Sequence, residues 1–377
     1  MRFPVCFITS LVCSLLTVRA ATQQPADSVQ TGWRIQSRFH YGFVMSHTKK
    51  MGHLITQHSR AAELCVSQQT RGTRSWERAY NYPEKGLMLF YTELGNPVLL
   101  GHGLGFAPYI HLPLGGNFPA VTRLRIATGP GWVEKTFDRI ENHKNTAMSS
   151  HINIFIQLMW DARWKLSDRL NLHAGIGLSH FSNGAFKTPN LGLNLMTVNT
   201  GFSWGTSGQS QTVVHDAPEP VDHAWQASLT LGGGLKEIVP PGTDKYRACT
   251  AILALSRRGG LKGEYGAALE GFYDASVYHQ ALADSIDIGS EAAGTRMGVS
   301  VYGGLVMGRL HVLLFQGAYL VAAYPARKPI FHRLAIRYDV NDHWYANFSL
   351  KTHLFDADYL ELGAGFRMPV KKKKGAG

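Results

Sequence analysis

Apolar and polar residues alternate with a period of two along much of the chain. Between residues 33 and 45 the odd positions carry mostly large apolar side chains: Trp33, Ile35, Ser37, Phe39, Tyr41, Phe43 and Met45. The even positions of the same run begin with Arg34, Gln36, Arg38 and His40. Because successive side chains of a strand point to opposite faces, this run predicts a strand with one apolar and one polar face.

The same alternation recurs in residues 151–164, 225–231, 344–351 and 360–368. It is less regular, with apolar residues on both faces, in residues 86–94, 98–112, 246–257 and 309–320. Most of these runs approach the roughly nine to eleven residues that a tilted strand needs to cross a bilayer. We therefore predict an all-β fold, an antiparallel transmembrane β-barrel of roughly 14 strands, with about 12 to 16 also consistent with the pattern.

A soluble β-sandwich is the competing fold, because its strands also alternate. The tryptophans favour the barrel, since several lie near strand ends on the apolar side: Trp33, Trp160, Trp164, Trp204, Trp225 and Trp344. Membrane barrels place aromatic side chains in girdles at both interfaces, whereas a sandwich core would bury tryptophans in mid-strand.

The two ends of the chain lack the alternating pattern. Residues 1–20 begin with a basic residue and continue as an apolar run, which is typical of a secretory signal peptide cleaved near Ala20. Residues 21–370 are predicted to form one barrel, because no linker divides them. Residues 371–377 begin with four lysines and are predicted to be a solvated basic tail.

The formal net charge is +12, and only 17% of residues are charged. Nucleic acid is not expected as a partner of an exported chain. The basic excess suits a polar lumen or a surface that faces anionic lipopolysaccharide in the outer membrane of a Gram-negative bacterium.

The sequence contains neither the ligand spacing of a metal site nor a nucleotide-binding loop, so no metal and no cofactor are predicted. His102, His111, His151 and His173 are expected to have polar roles in the lumen or at the interface. Cys65 and Cys249 are expected to be strand residues rather than a disulfide pair.

Residues 169–183 hold an exception to the apolar stripe. The even positions begin with five apolar residues and end with two polar ones: Leu170, Leu172, Ala174, Ile176, Leu178, His180 and Ser182. Polar groups that face hydrocarbon are costly unless they lie near the interface and are paired. His180 and Ser182 are therefore either an interfacial polar pair in contact with lipid headgroups or a functional site.

The next strand supplies a partner for this pair. A hairpin centred near Lys187 brings Asn194 opposite His180, and Asn194 shares the outward parity of its own strand. A serine hydroxyl beside a histidine can become an acyl-transfer nucleophile when a third group orients the imidazole. The three residues therefore form a candidate catalytic group.

The segment His180-Phe181-Ser182-Asn183-Gly184, followed by Pro189-Asn190-Leu191-Gly192, resembles the motif of the PagL-type lipid A 3-O-deacylases. That resemblance implies an outer-membrane barrel with Ser182 as nucleophile and His180 as general base. Candidate contributors to an oxyanion hole are the side chains of Asn183 and Asn190 and the backbone amides of Gly184 and Ala185.

The chain departs from the family pattern at Asn194, where the family has a glutamate. An asparagine can orient an imidazole but cannot stabilise an imidazolium by charge. The resemblance implies an esterase that removes the 3-O-linked acyl chain of lipid A. The alternatives are a non-enzymatic barrel, either a pore or a degenerate deacylase that binds lipopolysaccharide, and a soluble lectin-like or adhesin β-protein.

Overall fold

The computed structural model describes residues 28–30, 32–115, 120–206, 210–212, 214, 216, 220–242, 244–322, 324, 329–354 and 356–370. The predicted signal peptide and the predicted basic tail lie outside these ranges. The predicted all-β fold is confirmed, because antiparallel strands make up most of the described chain. Among the described residues, no helix combines the length and the apolar character that crossing a membrane as a helix requires.

The first half of the chain forms a closed barrel of eight antiparallel strands, preceded by the short strand β1 (Ser28–Gln30). The barrel strands are β2 (Arg34–Val44), β3 (Ser59–Gln69), β4 (Glu84–Glu93), β5 (His102–Gly115), β6 (Ala120–Val133), β7 (Ile152–Lys165), β8 (Leu170–Ser182) and β9 (Leu193–Gly205). Each strand pairs with the next, and β9 pairs with β2 to close the ring. A 3-10 helix (Lys49–Leu54) and helix α1 (Ser75–Ala79) lie in its connections, and β1 pairs with β10 (Ser210–Thr212).

The second half forms another closed barrel of eight antiparallel strands, in which β18 pairs with β11. Its strands are β11 (Gln226–Lys236), β12 (Tyr246–Arg258), β13 (Gly263–Asp274), β14 (Thr295–Met307), β15 (Leu310–Ala322), β16 (Ile330–Asp339), β17 (Trp344–His353) and β18 (Asp356–Pro369). Helix α2 (Ser276–Ala283) and a 3-10 helix (Glu291–Gly294) lie between β13 and β14.

The expectation of one barrel of roughly 14 strands over residues 21–370 is wrong, because the described chain closes into two barrels of eight strands each. Period-two alternation identifies strands and their faces, but it does not encode which strand closes the ring. That information resides in pairings such as β2 with β9, which are remote in sequence.

Side chains alternate between the two faces as predicted. In β2 the even positions Gln36 and Arg38 are buried, whereas Ile35 is 50% and Phe39 is 56% exposed. Of the tryptophans assigned to a girdle, Trp33, Trp160 and Trp204 in the first half of the chain are all more than half exposed. The wall of the first barrel therefore has a polar inner face and an apolar outer face.

Cys65 and Cys249 are strand residues, as predicted. Cys65 is buried in β3 and Cys249 is exposed in β12. Both are free thiols, so neither barrel owes its closure to a disulfide formed by them.

Ion pairs fill part of the lumen of the first barrel. Asp161 accepts hydrogen bonds from the guanidinium groups of Arg123, at 2.7 Å, and of Arg38. A second carboxylate, Glu63, pairs with Arg125. All five side chains are at least 97% buried, so the charges are compensated by each other and not by water.

Apolar side chains fill another part of that lumen. Phe155 stacks on Phe90 with ring centroids 5.5 Å apart, and Phe181 packs against Phe155 at 5.0 Å. Met51 and Leu54 of the 3-10 helix belong to the same fully buried cluster. The interior of the first barrel is thus a packed core, as expected for a ring of only eight strands.

We expect Asp161→Ala to lower the free energy of unfolding by about 3–5 kcal/mol, because it removes the carboxylate that accepts hydrogen bonds from two buried cations, Arg38 and Arg123. Denaturant unfolding in detergent, followed by tryptophan fluorescence, measures this. Asp168→Ala is the control, since that side chain is 82% exposed in the β7–β8 turn and its loss should change stability by no more than about 0.5 kcal/mol. Equal stability of the two variants would contradict the inferred role of the lumen ion pairs.

Candidate active site

The β7–β8 turn sets the orientation of β8. Ser167 Oγ accepts a hydrogen bond from the backbone amide of Leu170 at 3.1 Å, which ends the turn and begins the strand. From there the odd residues point inward, and Phe181 is fully buried in the lumen. His180 and Ser182 therefore lie on the outer face of the wall, about 6.6 Å apart along the strand.

The β8–β9 hairpin places Asn194 directly opposite His180, as the sequence predicts. The two side chains are hydrogen-bonded, with His180 Nδ1 2.7 Å from Asn194 Oδ1. An amide oxygen can only accept, so His180 Nδ1 carries the proton in this contact. The neutral imidazole then has its lone pair on Nε2, the form a general base requires.

Ser182 is only 6% exposed, and its hydroxyl oxygen accepts a hydrogen bond from Asn190 Nδ2 at 2.9 Å. Asn190 is itself oriented, because its Oδ1 accepts the backbone amide of Asn183 at 3.3 Å. An amide N–H is therefore held beside the Ser182 hydroxyl.

The Asn183 side chain anchors the loop that follows β8. Its Nδ2 donates to Ser150 Oγ at 2.8 Å, to the carbonyl of Lys187 at 3.0 Å and to Ser149 Oγ at 3.2 Å. The side chain is buried, and these acceptors engage its amide protons. Gly184 then takes a positive φ of 62°, a conformation that suits glycine and turns the loop.

Gly192 lies against the imidazole ring. Its φ is +73°, and a Cβ built at this position would lie 3.0 Å from His180 Cε1. Its amide donates to the carbonyl of Ala147 at 3.1 Å, which fixes the loop end against the β6–β7 connection. A residue with a side chain would be strained here and would crowd His180.

The sequence reasoning did not identify His47, which completes the group. His47 Nδ1 is 3.2 Å from Asn194 Nδ2, and His47 Nε2 is 3.1 Å from the carbonyl oxygen of Leu191. A signal for it exists, because His47 is the next odd position after Met45 on the apolar stripe of β2. The group therefore combines side chains from β8, β9 and the connection that follows β2.

Three other histidines of the first half of the chain have structural contacts. His173 is buried in the lumen with Nε2 2.8 Å from Ser203 Oγ, and His111 is buried beside Arg125. His151 bonds through Nδ1 to the carbonyl of Val133 at 2.8 Å. Within the described ranges, no three His, Cys, Asp or Glu side chains are grouped as a metal site would require.

Comparison with known proteins gives two family matches. Residues 60–203 match the model described as lipid A 3-O-deacylase (PagL). Residues 225–372 match the model described as acyloxyacyl hydrolase, C-terminal domain. A search of curated proteins finds no match.

Solved structures of barrels are also similar. The crystal structure of Neisserial surface protein A (NspA) is 8% identical, with 47% of this chain and 99% of that chain covered and a TM-score of 0.34. A triple mutant of the Rhodopseudomonas blastica porin is 9% identical, with 89% and 99% covered and a TM-score of 0.18.

We expect Gly192→Ala to break the His180–Asn194 hydrogen bond, because the added Cβ crowds the imidazole and the backbone is in a left-handed conformation. The side-chain ¹⁵N resonances of His180, assigned with a His180→Gln variant, should change from those of an Nδ1–H tautomer. Gly52→Ala is the matched control, since a Cβ at Gly52 meets nothing within 4 Å. Unchanged His180 resonances in Gly192→Ala would show that the ring does not depend on this glycine.

Proposed function

The chain belongs to the PagL family of lipid A deacylases, and we propose that its first barrel is an outer-membrane esterase that removes the 3-O-linked acyl chain of lipid A. One observation carries this proposal: the hydrogen-bonded pair His180 and Asn194 lies beside Ser182 on the outer, apolar face of the wall. A site in that place can receive a substrate that stays in the membrane.

In this proposal Ser182 is the nucleophile. His180 Nε2 takes the hydroxyl proton as Ser182 Oγ attacks the ester carbonyl carbon, and a tetrahedral oxyanion forms. The intermediate collapses with cleavage of the C–O bond, and His180 returns the proton to the departing 3-hydroxyl of lipid A. A water molecule deprotonated by His180 then attacks the carbonyl carbon of the acyl-enzyme. The bond to Ser182 Oγ breaks, His180 returns the proton to Ser182 Oγ, and the fatty acid is released.

The oxyanion needs hydrogen-bond donors near Ser182. Asn190 is the best-supported side chain, because its Nδ2 is already 2.9 Å from Ser182 Oγ. Asn183 holds the loop in place through Ser150 and Lys187 rather than donating to the substrate. The backbone amides of Gly184 and Ala185 remain candidates for a second donor.

The height of the site in the wall fits an ester at the membrane interface. Asn194 lies ten residues before Trp204 in β9. At about 3.3 Å per residue and a tilt of about 40°, these two residues are about 25 Å apart along the barrel axis, close to the height of the apolar band of such barrels. If Trp204 belongs to the inner girdle, His180 and Asn194 lie at the opposite interface, in the outer leaflet.

A diffusion pore finds no support in the first barrel. Its described lumen is occupied by buried arginines, such as Arg123 and Arg125, and by a cluster of phenylalanines. A degenerate deacylase that only binds lipopolysaccharide has the same fold and is distinguished by the loss of turnover.

We expect Ser182→Ala to abolish release of the acyl chain, because the variant lacks the attacking oxygen. Purified protein in detergent is incubated with lipopolysaccharide, and tandem mass spectrometry shows whether a 3-O-linked hydroxyacyl chain is lost. Ser37→Ala is the control, since Ser37 is an exposed outward-facing serine of β2. Unchanged lipid A with wild-type protein, or full activity of Ser182→Ala, would rule out the proposed mechanism.

We expect Asn194→Glu to increase turnover, because a carboxylate stabilises the imidazolium that His180 becomes during the reaction and an amide does not. Initial rates of acyl release by the variant and by wild-type protein measure this. Thr200→Glu is the control for added charge, because Thr200 lies on the exposed face of the same strand. Asn199→Glu is unsuitable as a control, since Asn199 is buried in the lumen. A rate that falls in Asn194→Glu and not in the control would contradict a role of Asn194 as the partner of His180.

A further inference from the structure

The start of the β2–β3 connection brings His47 to the site. Val44 pairs with Leu195, and the amide of Met45 donates to the carbonyl of Asn194 at 2.7 Å. The backbone that follows β2 therefore still runs alongside the start of β9. His47 is half-buried beside Asn194, and it contacts the Asn194 side chain and the backbone of Leu191. It thus connects the partner of His180 with the loop that carries Asn190 and Gly192.

The direction of these hydrogen bonds is determined by the chemistry of the groups. The carbonyl oxygen of Leu191 can only accept, so His47 Nε2 donates to it. Neutral His47 therefore has its lone pair on Nδ1, which accepts from Asn194 Nδ2. The amide must then present its oxygen, and not its nitrogen, to His180 Nδ1.

An asparagine at position 194 needs a partner that determines which of its two side-chain atoms faces His180. A carboxylate needs none, because both of its oxygens accept hydrogen bonds. Rotating the amide by half a turn exchanges Oδ1 and Nδ2 with little change in shape. The rotated amide would donate to His180 Nδ1, and His180 would then carry its proton on Nε2. In that tautomer His180 cannot take a proton from Ser182.

We propose that His47 is a positioning residue that holds the Asn194 amide in the orientation that keeps His180 Nε2 unprotonated. The inference rests on the proposed esterase function and assigns to the β2–β3 connection a residue of that same site. His47 acts through Asn194 and does not touch the reacting atoms.

The test compares kcat and KM for lipopolysaccharide among wild type, His47→Ala, Asn194→Asp and the double variant His47→Ala/Asn194→Asp. We expect His47→Ala to lower kcat on the order of three- to ten-fold with KM unchanged, the effect of losing one orienting hydrogen bond. Aspartate presents an accepting oxygen in either orientation, so the double variant should be as fast as Asn194→Asp alone. His47→Gln, which can accept from Asn194 and donate to Leu191, should retain most of the wild-type rate.

His53→Ala is the matched control, because His53 lies in the same connection and bonds to the carbonyl of Lys144 at 2.8 Å, outside this chain of contacts. It should leave kcat unchanged. A double variant slower than Asn194→Asp alone would overturn the proposal, because a structural defect at His47 is not repaired by a carboxylate at position 194. Wild-type kcat in His47→Ala would also overturn it.

A second readout separates this inference from the esterase function. The side-chain ¹⁵N shifts of His180 should report the Nδ1–H tautomer in wild type and a mixture of tautomers in His47→Ala. This measurement gives an answer even if wild-type protein does not cleave lipid A, in which case the esterase proposal fails and the orienting role is judged alone. An unchanged tautomer in His47→Ala would disprove the orienting role.

Discussion

Closing eight antiparallel strands into a ring satisfies the backbone hydrogen bonds of every strand on both sides, and the rest of each barrel depends on this closure. In a closed wall, the odd or even position of a residue along its strand determines whether its side chain faces the lumen or the outside of the barrel. The lumen of so small a ring must be filled, and in the first barrel buried arginine–carboxylate pairs and phenylalanines fill it. The outer face is apolar, so polar groups such as His180 and Ser182 stand out there.

Local pairings could be predicted from the sequence, and remote ones could not. The alternation identified β7 and β12 to within one residue at each end, and the centre of the β8–β9 hairpin predicted that Asn194 faces His180. Both depend on residues close together in the chain. The division into two barrels depends on β9 returning to β2 and β18 to β11, and nothing in a period-two pattern distinguishes these closures from a single larger ring.

This dependence on remote parts of the chain also explains why the sequence did not identify His47 or the contacts of Asn183. His47 has the parity of the apolar stripe of β2, but its contact with Asn194 exists only because β2 and β9 are neighbours. Asn183 was a candidate oxyanion donor by its position in the motif, whereas the structure uses its amide to hold Ser150 and the carbonyl of Lys187. A motif predicts residue types at a site, but the side-chain contacts of a loop depend on segments that the motif does not contain.

An amide in place of a carboxylate at position 194 has a cost and a benefit that can both be stated physically. The cost is weaker stabilisation of the imidazolium and an orientation that a third group must define. The benefit is that no ionised group has to be kept on the outer face of the wall, where the neighbouring outward residues of β9 are Met196 and the exposed Val198. Because desolvating a carboxylate in such surroundings is expensive, a neutral chain of hydrogen bonds from Leu191 through His47 and Asn194 orients His180 without that penalty. In the proposed reaction, charge then has to form only transiently, on His180 and on an oxyanion beside Asn190.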